Sequence, residues 1–263
     1  MTWIAALPMY NVSPALAADW REWLGGVLRR VKPACRIVEP DEELHGFWRR
    51  PNLLLSQTCG YPLMHGLHED VQLVATPCFD APGCAGSNYS SVLVTRADAA
   101  YESLAACRGA RAAYNQDDSN SGMNVLRHAV APLAREGAFF STVMRTGSHL
   151  GSLRAVAHRH ADVAAIDCVT WAFVRDELPE LANSVRAIGA SAASPGLPLI
   201  ASSTVPEATV VALREALAAE LDAQPERARR LRLKGFSTLS LADYQRIEQL
   251  EDEAHAMGYA RLV

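Results

Sequence analysis

The sequence predicts an α/β fold of two lobes, each a mainly parallel sheet flanked by helices. Short apolar runs and amphipathic stretches alternate from end to end, the pattern of parallel strands covered on both faces. Helix starts carry Ser-Pro and Ser-x-x-Asp signatures. Two extended segments, 89–96 and the proline-containing 194–201, read as crossings between lobes. They divide the chain into a discontinuous first lobe, residues 1–93 plus 197–263, and a second lobe, 94–196, with a cleft between.

Residues 2–7 are a short apolar strand. Ser13 caps a helix with Pro14 in its first position, and Trp20, Trp23, Leu24, Val27, Leu28 and Val31 supply its buried stripe. Strands follow at 36–39, 53–57, 72–76 and 91–95. Another at 110–115 runs into Gln116-Asp117-Asp118-Ser119-Asn120-Ser121-Gly122, a small-polar turn that opens a helix with Leu126, Ala129, Val130 and Leu133 at helical spacing. A strand at 139–144 precedes a helix capped by Ser148, with Leu150, Leu153, Val156 and Ala157 on one face, and a strand follows at 162–166. Residues 171–181 read as helix, 185–188 and 197–201 as strands. The C-terminal third reads as two helices and a tail. Pro206 opens the first, lined by Val210, Leu213, Leu217 and Leu221. Ser240-x-x-Asp243 opens the second ahead of Ile247, Leu250, Ala254 and Met257, and Gly258 ends it.

The chain of 263 residues, 49% hydrophobic, is long enough to bury a sizeable core. A net charge of −4 and a pI near 6.1 exclude a broad nucleic-acid or anionic-membrane surface, so any bound anion is captured locally. No apolar run approaches the ~18–20 residues of a membrane span, so no direct membrane insertion is expected. The opening residues lack a basic, apolar and cleavable leader, which implies a cytoplasmic chain if Met1 is its natural start, or an exported chain already trimmed. The six cysteines show no C-x-x-C spacing. Cys78 and Cys84 flank a turn-rich loop, so a bridge between them and a pair of small buried thiols both fit.

The turn at 119–121 is an anion trap. The first N–H groups of a helix have no intrahelical partner, the helix dipole places partial positive charge there, and Ser119, Asn120 and Ser121 add short donors. The same residue types also serve as plain helix caps. Asp117 and Asp118 are compatible with an anion only if they point away or meet a ligand amine. His149, at a helix start, is either an anion donor or an exposed first-turn residue. Asp167, closing an apolar strand, is either a ligand contact or a helix cap. His65, His68, His158 and His160 lack the carboxylate partners of a metal site, and no metal or cofactor is expected. Signatures of P-loop, dinucleotide, zinc-hydrolase and nucleophile-elbow chemistry are missing, which favours binding over catalysis.

Four segments in order, Tyr89-Ser-Ser-Val-Leu-Val-Thr-Arg96, Asn115…Asp118-Ser-Asn-Ser-Gly122, Gly147-Ser-His-Leu-Gly-Ser-Leu-Arg-Ala-Val156 and Ala161-Asp-Val-Ala-Ala-Ile-Asp167, together resemble the phosphonate-binding proteins of ABC transporters. The resemblance implies the two-lobed type II periplasmic-binding-protein fold and a function in capturing a small phosphorus oxyanion for uptake. It implies that Ser119, Asn120 and Ser121 hold the anion, that His149 adds a donor, and that Asp167 receives a ligand amine. It also implies aromatic walls at Tyr10, Tyr61 and Tyr89, with Tyr61 and the loop between Cys78 and Cys84 beside the substituent. The partners implied are a small anionic ligand and an ABC permease, with the binder a monomer. A rival reading is a cytoplasmic enzyme on the same fold, similar to menaquinone-pathway enzymes, or a ligand sensor.

Overall fold

The computed structural model describes residues 2–31, 34–40 and 43–263. The chain forms two units: Met1–Asp80 with Ala85–Ser87 and Pro195–Tyr244, and Ala81–Cys84 with Asn88–Ser194 and Gln245–Val263.

In the first unit a six-stranded sheet has the order Leu233–Ser237, Val71–Phe79, Leu199–Ser202, Leu53–Gln57, Trp3–Ala6, Cys35–Ile37. The inner strand Leu53–Gln57 is buried at every position, as its Leu53-Leu54-Leu55 run predicts for a strand covered on both faces, and the burial extends to the polar Ser56 and Gln57. The helix Pro14–Val31 buries Leu16, Trp20, Trp23, Leu24 and Val27. Ser13 caps its start, its Oγ accepting from the Leu16 N–H at 3.1 Å. This helix packs on Glu207–Ala223, whose Val210, Leu213 and Leu217 are buried. At their contact a Cβ on Gly26 would fall 1.9 Å from Glu220 Oε1, so glycine is what admits the buried Glu220 carboxylate. That carboxylate accepts from Arg30 Nε at 2.9 Å. Removing the half-exposed Arg30 leaves the buried Glu220 carboxylate uncompensated, so Arg30→Ala is expected to destabilise by about 1–3 kcal/mol, read in urea unfolding.

The second unit carries a five-stranded sheet in the order Val185–Ala190, Ser91–Arg96, Val163–Asp167, Arg111–Tyr114, Thr142–Arg145. Its core joins Leu93, Val125, Leu126, Val130, Phe139 and Phe140 with Leu250, Ala254 and Tyr259 from the C-terminal segment.

The sheets are more mixed than the alternation predicts. Val163–Asp167, Arg111–Tyr114 and Thr142–Arg145 are parallel, but Ser91–Arg96 runs antiparallel to both its neighbours. In the first unit Leu199–Ser202 likewise pairs antiparallel on both sides, whereas Trp3–Ala6 is parallel to both neighbours. Ser91–Arg96 and Leu199–Ser202 each begin just after the chain has entered its unit, with no crossover helix between that entry and the strand to turn it parallel.

Two expectations differ from the structure in the C-terminal third. Leu233–Ser237 is a strand between its helices, antiparallel to Val71–Phe79. Lys234 and Gly235 interrupt its apolar pattern, and pairing at the sheet edge rather than propensity sets its conformation. The segment after Tyr244 also belongs to the second unit rather than the first, because Leu250, Ala254 and Tyr259 are buried in that unit's core. The helix Leu241–Ala256 begins as expected: Asp243 Oδ2 accepts from the Ser240 N–H and hydroxyl at 2.8 and 2.7 Å.

Candidate functional site

The strand Arg111–Tyr114 delivers the chain to Asn115 and the polar turn beyond it. Asp117 is held by its own neighbours, accepting from the Tyr114 hydroxyl at 2.6 Å and from Arg145 Nη1 at 3.0 Å. Ser119 is extended, and its Oγ accepts from the Gly122 N–H at 3.0 Å, which makes it the helix cap. The first turn, Asn120–Asn124, is wound as a π-helix before the chain continues as Val125–Val130. Such wide turns recur at functional sites because they redirect side chains without ending the helix.

Gly122 lies beneath the Asn115 side chain. A Cβ there would fall 1.8 Å from Asn115 Oδ1 and 3.3 Å from Ser119 Oγ. Asn115 Oδ1 is itself buried with no hydrogen-bond partner among the described residues. Gly122→Ala must displace that amide and is expected to destabilise by about 1–3 kcal/mol in denaturant unfolding.

Around this turn the second unit assembles a buried polar cluster. Ser119, Asn120, Ser121 and Asn124 are all buried, as is Tyr89. Asn120 Nδ2 donates to Tyr89 Oη at 3.2 Å and to Ser194 Oγ at 2.8 Å, while its Oδ1 accepts from Asn124 Nδ2 at 3.1 Å. Ser91 Oγ donates to the Ser121 carbonyl at 2.8 Å. Ser121 Oγ and His149 Nε2 are 2.9 Å apart.

His149 opens the helix His149–Ala157 behind the Ser148 cap, whose Oγ accepts from the Gly151 N–H at 3.0 Å. Burial pushes its imidazole down to about 4, with the Ala165 backbone acting the other way. A neutral ring accepts the Ser121 proton at Nε2 or donates its own there, and in the second case the Ser121 hydroxyl proton is available to a ligand. The shift also gives a stability prediction. The folded imidazole resists a proton that the unfolded chain takes up below pH 6.5, so stability falls from pH 6.5 towards pH 4 and is independent of this group above that window. His149→Gln is expected to flatten that part of the thermal-midpoint profile.

Asp167 ends Val163–Asp167 and pairs in register with Ser91, which places it one residue pair from the Ser91–Ser121 bond. Its Oδ1 accepts from the Val169 and Thr170 N–H groups at 2.7 and 2.9 Å, so it caps the helix Cys168–Glu177.

Tyr10 and Tyr61 belong to the first unit. Tyr10 is buried in the left-handed region at φ 66° and meets Phe79 edge-on at 5.2 Å. Tyr61 stacks on His65 at 3.9 Å. The bridge between Cys78 and Cys84 is not made. Cys78 Sγ lies 3.3 Å from Ser237 Oγ in the first unit, while Cys84 belongs to the second and its sulfur faces Cys168.

Sequence reasoning passed over Ser91, Ser194 and Asn124. Ser194 stands just before the first proline of a crossing segment, Ser91 in an extended strand and Asn124 four residues after Asn120. Only that last spacing was a legible signal, since residues four apart share a helix face.

The family model described as "ABC transporter, phosphonate, periplasmic substrate-binding protein" matches residues 53–244, well over half the chain. No curated protein matches. Among solved structures, the chain is similar to a binding-protein component of an ABC phosphonate transporter from Pseudomonas aeruginosa. The TM-score is 0.81 at 18% identity, over 98% of this chain and 87% of that one. It is also similar to PhnD1 from Prochlorococcus marinus in complex with methylphosphonate, with a TM-score of 0.78 at 14% identity, over 97% and 98%. XAC2383 from Xanthomonas citri, bound to ATP, gives 0.67 at 16% identity, over 98% of each chain. At these identities the likeness is one of fold, that of the two-lobed periplasmic binding proteins. No helix among the described residues is long and apolar enough to cross a membrane. With the family model spanning both units, the chain belongs to the family of periplasmic substrate-binding proteins of phosphonate ABC transporters.

Proposed function

We propose that this protein captures a small phosphorus oxyanion, a phosphonate, phosphate or phosphite, and presents it to an ABC permease for uptake. The observation that carries the reading is the buried neutral donor cluster at Ser119, Asn120 and Ser121, joined to Tyr89 and His149 at a wide helix start. No charged side chain is needed: the helix start and neutral hydroxyl, amide and imidazole groups recognise the anion by direction rather than by net charge. His149 stays neutral at physiological pH and acts as a hydrogen-bonding group. Asp167, a short step along the sheet, supports a ligand that brings its own proton or amine to that side. Tyr10 and Tyr61 remain the candidate aromatic walls contributed by the first unit.

The energetics are adequate. A micromolar dissociation constant corresponds to about 8 kcal/mol. Charge-assisted hydrogen bonds contribute roughly 1.5–3 kcal/mol each, and several of them exceed that figure before association costs are deducted. The proposed anion-holding residues all come from one unit of one chain, which is compatible with a monomeric binder.

A thermal-shift panel tests the reading with phosphate, phosphite, methylphosphonate, aminoethylphosphonate, sulfate and adipate. A ligand at 100 times its dissociation constant stabilises by about 2.7 kcal/mol, a rise of roughly 5–10 °C for a chain of this size. A selective rise with a phosphorus anion that is recovered intact is the expected result. A rise only with sulfate or adipate, or consumption of the ligand by catalytic amounts of protein, would overturn it.

A further inference from the structure

We propose that Cys84 and Cys168 form a reversible disulfide that staples the segment Ala81–Cys84 to the helix start capped by Asp167. Their sulfurs lie 3.5 Å apart within the second unit. Other thiols meet oxygen instead: Cys107 Sγ is 3.5 Å from the Ser103 carbonyl, and Cys78 faces Ser237. The two backbones are already held together through one residue. Ser90 donates its N–H to the Gly83 carbonyl at 3.0 Å, and its own carbonyl accepts from the Cys168 N–H at 3.1 Å. Gly83 makes the approach possible. It adopts φ +98°, and a Cβ there would fall 2.8 Å from Ser90 Oγ and 3.0 Å from Cys168 Cβ. With the two backbones tied there, closing the sulfurs from 3.5 Å to the ~2.05 Å of a disulfide asks for a further approach of about 1.5 Å.

The two thiols differ in a way that orders the reaction. Cys168 is buried, and its neighbour Cys84, its burial and the Asp167 charge all push its thiol up. Cys84 is half-buried and is the sulfur an oxidant reaches. With a small-molecule or protein disulfide as oxidant, the Cys84 thiolate attacks one of its sulfurs, forms a mixed disulfide and expels the first thiolate. Cys168 then loses its proton as it attacks the Cys84 sulfur, and the second thiolate leaves. Two protein thiols are oxidised by two electrons, the external disulfide is reduced to two thiols, and the released protons pass to those leaving groups.

The test uses the reduced full chain equilibrated with oxidised glutathione, quenched in acid, alkylated under denaturing conditions and cleaved at aspartates. Cleavage at Asp80 separates Cys78 from Cys84. The expected product joins the Cys84 and Cys168 peptides with loss of two hydrogens, leaves the other cysteines alkylated, and is reversed by dithiothreitol. Because the bond closes a long loop, the oxidised midpoint is expected about 5–10 °C above the reduced one. Cys84→Ser keeps the reduced midpoint and abolishes the rise. Alkylation of both cysteines after oxidation, glutathione retained on Cys84, pairing of Cys84 with Cys78, or a midpoint that does not rise would each overturn the proposal. None of these readouts involves the anion, so the outcome is independent of the proposed function.

Discussion

Replacing Ser119 and Ser121 together by alanine is expected to weaken binding of the ligand selected by the thermal-shift panel by at least tenfold, and by about a hundredfold if both hydroxyls contact it. Each charge-assisted hydrogen bond contributes roughly 1.5–3 kcal/mol, and each 1.4 kcal/mol is a factor of ten in affinity. The two sites are also expected to differ in kind. Ser119 Oγ caps the helix through the Gly122 N–H, so Ser119→Ala costs about 0.5–2 kcal/mol of stability as well as affinity. Ser121 Oγ meets His149 Nε2, so Ser121→Ala leaves a buried imidazole nitrogen without its partner. Calorimetric titration of the single and double variants, with thermal midpoints measured alongside, separates the two effects. Unchanged affinity in the double variant would remove this helix start from the binding site.

Arg127→Ala is expected to be among the most destabilising single changes in the second unit, by about 3–5 kcal/mol, a midpoint drop on the order of 10 °C. Arg127 is 5% exposed and ties three segments together. Its Nη2 donates to Asn124 Oδ1 at 2.7 Å and pairs with Glu251 at 2.9 Å, and its Nη1 donates to the Ala260 carbonyl at 3.2 Å. Asn124 in turn donates to Asn120 Oδ1 and to the Ile247 carbonyl. Loss of the guanidinium leaves a carboxylate, an amide oxygen and a carbonyl without this donor in a region screened from water. Because the chain of bonds runs through Asn120, a measurable loss of ligand affinity should accompany the loss of stability. Arg127→Lys keeps the charge but not the fork, and is expected to recover only part of either. Urea unfolding of both variants checks the order.

Much of the candidate site was legible because it is local. A strand followed by Ser119-Asn120-Ser121-Gly122 and a helical apolar stripe states its geometry in consecutive residues, and the cap on Gly122 lies where the cap rule puts it. His149 and Asp167 were legible for the same reason, each at the start of a helix or the end of a strand. The partners of these groups were not. Ser91 and Ser194 reach the turn from segments distant in sequence, and nothing in their own neighbourhoods distinguishes them from exposed serines. The cysteines show the same limit. Proximity in sequence favoured Cys78 for Cys84, whereas the fold sets Cys168 against it across a separation in the chain that no spacing rule spans.

By itself the sequence determined the α/β class, the core stripe of Pro14–Val31, the capped helix starts and the polar turn capped by Ser119, all of which follow from periodicity and from backbone groups satisfied within a few residues. Tertiary structure decided the rest. Antiparallel pairing of Ser91–Arg96 and Leu199–Ser202, the strand at Leu233–Ser237 and the assignment of Leu250, Ala254 and Tyr259 to the second core depend on which distant surfaces bury one another. The electrostatic state of the site was decided there too: His149 is a neutral hydrogen-bonding group because surrounding segments remove it from water, and no pattern of neighbouring residues encodes that burial.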